Sequence, residues 1–127
     1  MVRRGRRWTI QRLYSPSGRE MLYILSFYLP RFFQLDFEEK LATIIHELWH
    51  ISPKFNGDVR RYEGRCYAHS ASGEHDREAE QLAQQWLSRK PQESLYAFLR
   101  FDFRQLEQHY GHVHGQRVAA PKLIPLD

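Results

Sequence analysis

One amphipathic segment constrains this chain more than anything else in it. Asp36-Phe-Glu-Glu39 has the spacing of a capping box, with Asp at the N-cap and Glu three residues on. Behind it, Phe37, Leu41, Ile44, Ile45 and Leu48 fall at i, i+4, i+7, i+8 and i+11, one apolar stripe of a helix spanning 37–50. Pro53 and Gly57 stop it. The same helix carries His46-Glu47-Leu48-Trp49-His50, an HExxH pattern. At about 100° per residue from Phe37, the stripe centres near about 30°, while His46 and His50 lie near about 180° and 220°. The two imidazoles therefore leave the helix opposite its core stripe. Ala42, Thr43 and Trp49 border that face, as on the wall of a cleft.

The rest of the chain supplies partners for this helix. Residues 8–14 and 20–29 are rich in aromatic and branched side chains, with Ser15-Pro-Ser-Gly18 between them, so a β-hairpin or at least two strands is expected, ended by Pro30. A second helix is expected over 76–89, with Ala79, Leu82, Ala83, Trp86 and Leu87 on one face and Pro91 after it. A third is expected over 94–109, with Leu95, Phe98, Leu99, Phe103 and Leu106 on a stripe and Gly111 as its stop. Residues 51–75 show no sustained period, and a loop of that length in a compact domain is either functional or hides an element. The tail, 121–127, reads as extended. The expected fold is α+β, a small domain with a short N-terminal sheet or hairpin, the HExxH helix and two further helices.

Charge divides the chain unevenly. Arg3, Arg4, Arg6, Arg7, Arg12 and Arg19 all precede the first acidic residue, Glu20, so residues 1–19 carry +6 and the remainder −2, within a total of +4. The pI of about 9.4 thus describes a basic arm with the first strand, residues 1–19, ahead of a slightly acidic single domain, 20–127. That distribution argues against a nucleic-acid binder built on a uniformly basic face, while leaving nucleic acid as a less favoured partner of the arm. The lone cysteine, Cys66, cannot form an internal disulfide, which fits a reducing compartment. The longest apolar run, 21–29, is about half of what a membrane helix needs, and residues 8–16 are too polar for the core of a signal peptide. A cytoplasmic protein without a membrane partner is expected, and no feature sets an oligomeric state.

Two histidines at i and i+4 on a helix reach one metal ion, and Glu47, about 100° further round, is better placed to hold a water than to ligate. A zinc site takes three protein ligands and keeps a fourth position for water. The compact HExxHxxGxxH form is excluded by Pro53 and Asn56. His69 follows a turn that can bring the chain back over the helix. Glu78 on the second helix is the next choice, and Glu63, Glu74, Glu80, His75, His112 and His114 complete the candidates. Tyr62, Arg65, Tyr67 and His75 are eligible to stabilise an oxyanion, and Asp58 or Asp102 to orient a ligand histidine. Cys66 reads as a small packed side chain and His109, His112 and His114 as a solvated tract.

The order His-Glu-Leu-Trp-His-Ile-Ser-Pro over 46–53, then Asn56-Gly-Asp58, Arg60-Arg61, Gly64-Arg65 and Ala68-His69, resembles the phage-type metallopeptidase domain family, distant relatives of SprT-like zincins. The likeness runs from Tyr28 through Leu87, with Asn56 where an acidic residue is more usual. It implies a zincin-like fold, Zn2+ held by His46, His50 and His69, Glu47 as catalytic base, and a peptide or protein substrate. The competing expectations are a metal-containing but non-catalytic binding or regulatory module, and a nucleic-acid-associated protein targeted by its arm.

Overall fold

The computed structural model describes residues 1–62, 65–66, 74–115 and 119–126, with the backbone alone at 61–62, 65–66 and 74–76. Its strands are β1 (Val2–Arg3), β2 (Arg6–Ile10), β3 (Leu13–Tyr14), β4 (Glu20–Met21), β5 (Arg61–Tyr62), β6 (Arg65–Cys66) and β7 (Leu123–Pro125). Its helices are α1 (Phe37–Trp49), α2 (Glu74–Ser88) and α3 (Phe103–Tyr110), with 3-10 turns at Arg31–Gln34, Glu93–Leu95 and Ala97–Arg100. This is the expected small α+β chain. Among the described residues no helix is long and apolar enough to cross a membrane.

Two compact units divide the chain, Met1–Ile24 with Gly115–Asp127, and Leu25–His114. The boundary at 19/20 drawn above follows charge, whereas these units follow packing. In the first unit β2 is the middle strand of an antiparallel sheet of order β1-β2-β7, with Trp8 opposite Pro125 and Ile10 opposite Leu123. The basic segment is thus woven into a sheet, and the extended tail is its partner. The first expected strand, 8–14, is split, and its residues 8–10 belong to β2 and pair with β7. Of the expected hairpin only β3 with β4 forms, paired Leu13 to Met21 and Tyr14 to Glu20. Its turn closes through Gly18 N–H to Ser15 O (2.9 Å) and Ser15 N–H to Arg19 O (2.8 Å), with Gly18 at φ 85. The second strand is two residues long, not the ten that its apolar composition suggested.

The second unit holds the core. Phe32, Phe33, Leu41, Ala83, Tyr96, Leu99 and Leu106 are buried together, flanked by Phe37, Ile44, Ile45, Trp86 and Leu87. α1 enters through the expected capping box: Asp36 Oδ1 accepts from Glu39 N–H (2.8 Å) and Glu39 Oε2 from Asp36 N–H (3.3 Å). α2 begins two residues earlier than periodicity suggested. The single helix expected over 94–109 is two 3-10 turns and then α3, because Asp102 takes an extended conformation and caps α3. Its Oδ1 accepts from Gln105 N–H at 2.7 Å while Gln105 Oε1 accepts from Asp102 N–H at 3.0 Å.

Lys40 stitches α1 to this broken segment. Only 2% exposed, it points its ammonium along the Phe33 ring (5.1 Å) and donates to Leu99 O at 3.0 Å and to Phe101 O. Burial holds its pKa below the ordinary lysine value, an effect opposed by the charges of Asp102 and Asp36. The long loop does contain elements: an isolated bridge, Ile51 to Val59, and the β5–β6 ribbon.

Candidate metal centre

The HExxH residues stand on the last turn and a half of α1. Leu41, at 4% exposure, is anchored in the core, so the opposite side of the helix presents Thr43, His46 and His50. His50 is the C-cap but keeps helical dihedrals (φ −69, ψ −19), which preserves the i, i+4 geometry to the end of the motif. Its ring lies edge-on to that of His46, centroids 5.1 Å apart. One ligand atom from each of His46, Glu47 and His50 lies within 4.8 Å of the others. Nδ1 of His46 is shielded from solvent, and Glu47 and His50 are half-buried.

The end of α1 is held by the returning loop. Arg60 donates from Nε to Trp49 O (2.8 Å) and lays its guanidinium over the Trp49 ring at 4.0 Å. Its backbone N–H donates to His50 O (2.8 Å), and Ser52 N–H to Asp58 O (3.2 Å). The two Arg60 bonds satisfy carbonyls that a helix C-terminus otherwise leaves open. Asn56 Oδ1 accepts from Asp58 N–H (3.1 Å) and Gly57 sits at φ 87, so the Asn56-Gly57-Asp58 motif is the turn that sends the chain back. Asp58 Oδ1 accepts from Val59 N–H (2.8 Å). The sequence marked Arg60 only as part of the Arg60-Arg61 pair in the resemblance; its place one residue after the Ile51–Val59 bridge gives it this task.

A cavity of about 370 Å³ opens beside His46, lined by Leu35, Glu39, Ala42, Thr43, Ala79 and Glu80. Of the cleft wall expected from Ala42, Thr43 and Trp49, the first two line this cavity, while Trp49 lines a separate one. A larger apolar cavity, about 530 Å³, lies along the Ile44–Leu48 side of α1 against Leu82, Trp86 and Leu99.

The other sequence candidates fall into distinct places. His69, Glu63 and the oxyanion candidate Tyr67 lie outside the described residues, as do the side chains of Glu74, His75 and Cys66 and of the oxyanion candidates Tyr62 and Arg65. Glu80 joins the wall of the cavity next to His46, and Glu78 is exposed. Asp102 is the α3 cap. His109 packs on Phe101 (4.9 Å) and His112 on His114 (4.2 Å). Among the described residues, His46, Glu47 and His50 are the group able to hold a metal ion. Donors around an ion at about 2.1 Å stand about 3.4 Å apart in a tetrahedron, so this group fits a cation after small side-chain rotations. The two imidazoles suit zinc and other first-row transition metals alike, with the Glu47 carboxylate beside them.

Comparison of the chain with known protein families, curated proteins and solved structures finds no match.

Proposed function

We propose that this chain is a zinc-dependent metallopeptidase of the cytoplasm, related to the phage-type metallopeptidase domains, with His46, His50 and His69 as metal ligands and Glu47 as general base. The observation that carries this reading is the convergence of His46, Glu47 and His50 within 4.8 Å on a core-anchored helix, beside a cavity. When bound, zinc supplies Lewis acidity toward a carbonyl and lowers the pKa of a water. The chain's own residues do the rest. His46 and His50 present their ring nitrogens from a helix whose end is fixed by Arg60. Glu47 takes a proton from the attacking water on its carboxylate and returns it to the leaving amine nitrogen. The hollow formed by Thr43, Ala79 and Glu80 admits the peptide next to His46.

Metal analysis of the purified protein tests the ligand set: about one zinc per chain is expected, lost in His46→Ala and in His69→Ala. Full zinc in His69→Ala removes the third ligand from the scheme. Glu47→Gln keeps its zinc and no longer hydrolyses denatured protein; activity equal to the wild type overturns the mechanism.

A further inference from the structure

The first unit carries an unusual concentration of positive charge. Residues 1–24 and 115–127 hold eight arginines and lysines against two acidic residues. The structure gathers three of the arginines at one place. In the β1–β2 hairpin, Arg3 stands directly opposite Arg6, and Arg4 and Gly5 form the two-residue turn between them. Both turn residues have positive φ, 50 for Arg4 and 73 for Gly5, the type I′ geometry that favours Asn-Gly. Like charges directly opposite on a sheet destabilise it, and a non-glycine residue at positive φ is itself costly. The first cost falls on Arg3 and Arg6 and the second on Arg4 in the turn between them.

Arg6, Trp8 and Ile10 share one face of β2, and cross-strand pairing puts Arg3 and Leu123 on it too. Arg3, Arg4, Arg6, Trp8 and Leu123 line a hollow of about 320 Å³. The Arg6 guanidinium lies 5.9 Å from the Trp8 ring centroid, at the outer edge of a cation–π contact. The indole Nε1 is buried and has no acceptor among the described residues.

We propose that this hollow binds single-stranded nucleic acid, the Arg3, Arg4 and Arg6 guanidiniums taking backbone phosphates and the Trp8 indole taking a base. Guanidinium and indole groups interleaved around a recess are the combination that tracks a phosphate backbone and accepts an unstacked base. A duplex keeps its base faces within its own stack. An anionic bilayer calls for an apolar edge projecting from a basic rim, whereas here the basic groups surround a depression. The site lies wholly in the first unit and does not depend on the metal centre.

The experiment is fluorescence anisotropy of a short fluorescein-labelled oligothymidylate with the full chain, zinc loaded. Three phosphate contacts predict a slope of about −2 for log K against log salt, or roughly 20-fold weaker binding at 200 than at 50 mM. Trp8→Ala weakens binding by about 5-fold or more. Arg4→Asn is the decisive variant: it replaces a strained turn residue with a favoured one, so thermal stability holds or rises while affinity falls and the salt slope shrinks by about 0.7. The Trp8 indole N–H resonance shifts on adding oligonucleotide. Unchanged affinity in both variants, equal or tighter binding to duplex of the same length, or binding to phosphatidylserine vesicles without binding to the oligonucleotide would each overturn the proposal.

Discussion

Lys40 ties α1 to the 3-10 turns through a buried ammonium, and its replacement carries a calculable cost. Replacing it with Met keeps an unbranched chain of similar length in the same place and removes only the donor. Leu99 O and Phe101 O then lose the ammonium that reaches both. A hydrogen bond to a charged group contributes about 1.5–3 kcal/mol, and a buried acceptor left unmade costs about 1–3 kcal/mol. Relief of the desolvated charge offsets part of this, since burial already holds the Lys40 pKa down. A net loss of about 2–4 kcal/mol is expected for Lys40→Met, read by urea denaturation with an unchanged m-value. A second readout has a fixed sign. With its folded pKa below the unfolded value near 10.5, Lys40 binds fewer protons when folded, so its contribution to stability grows as pH rises from the folded pKa toward 10.5. The gap between wild type and Lys40→Met should therefore widen over that window and level above it. A loss below about 1 kcal/mol, or a gap that narrows with rising pH, would refute the account of Lys40 as the buried tie between α1 and the 3-10 turns.

Two further predictions rest on other contacts. The Glu93 carboxylate accepts from Tyr96 Oη (2.7 Å) and from Arg100 Nε (2.9 Å), which hold its pKa below the ordinary range. Its contribution is present above the unfolded value near 4.5 and fades as pH falls through the folded one, so the melting temperatures of wild type and Glu93→Gln should converge in acid; a gap independent of pH would contradict this. Arg60→Ala removes the donor to the Trp49 carbonyl and the stack on the Trp49 ring; zinc affinity, measured by chelator competition, should fall about 10-fold, and an unchanged affinity would show that the helix end needs no such support.

What could be read from the sequence was what depends on near neighbours. The α1 capping box, its core stripe and the i, i+4 placement of His46 and His50 are all settled within fifteen residues of chain. The helix expected over 94–109 fails for a local reason as well. Leu95, Phe98, Leu99, Phe103 and Leu106 keep helical spacing across the break, and the signal that ends one segment and starts another is Asp102 with Gln105, a capping pair hidden inside the stripe. Pairings between distant segments were not legible. No spacing rule connects Thr9 to Ile124 or Arg60 to Trp49, and each is specified only once other elements have folded. The metal group is legible as far as α1 reaches, and any ligand supplied from beyond it depends on the path of the chain after Arg60.

The pairing of β2 with β7 has a consequence for how the protein is made. Synthesis delivers β1 and β2 first, then all of Leu25–His114, and only afterwards the strand that completes the sheet. Throughout that interval one edge of β2 waits with its backbone groups unpaired, a template for joining another nascent chain. The strand that waits begins Arg6-Arg7, and its hairpin partner ends in Arg3. Mutual repulsion between copies on neighbouring ribosomes would keep those edges apart until Leu123–Pro125 arrives.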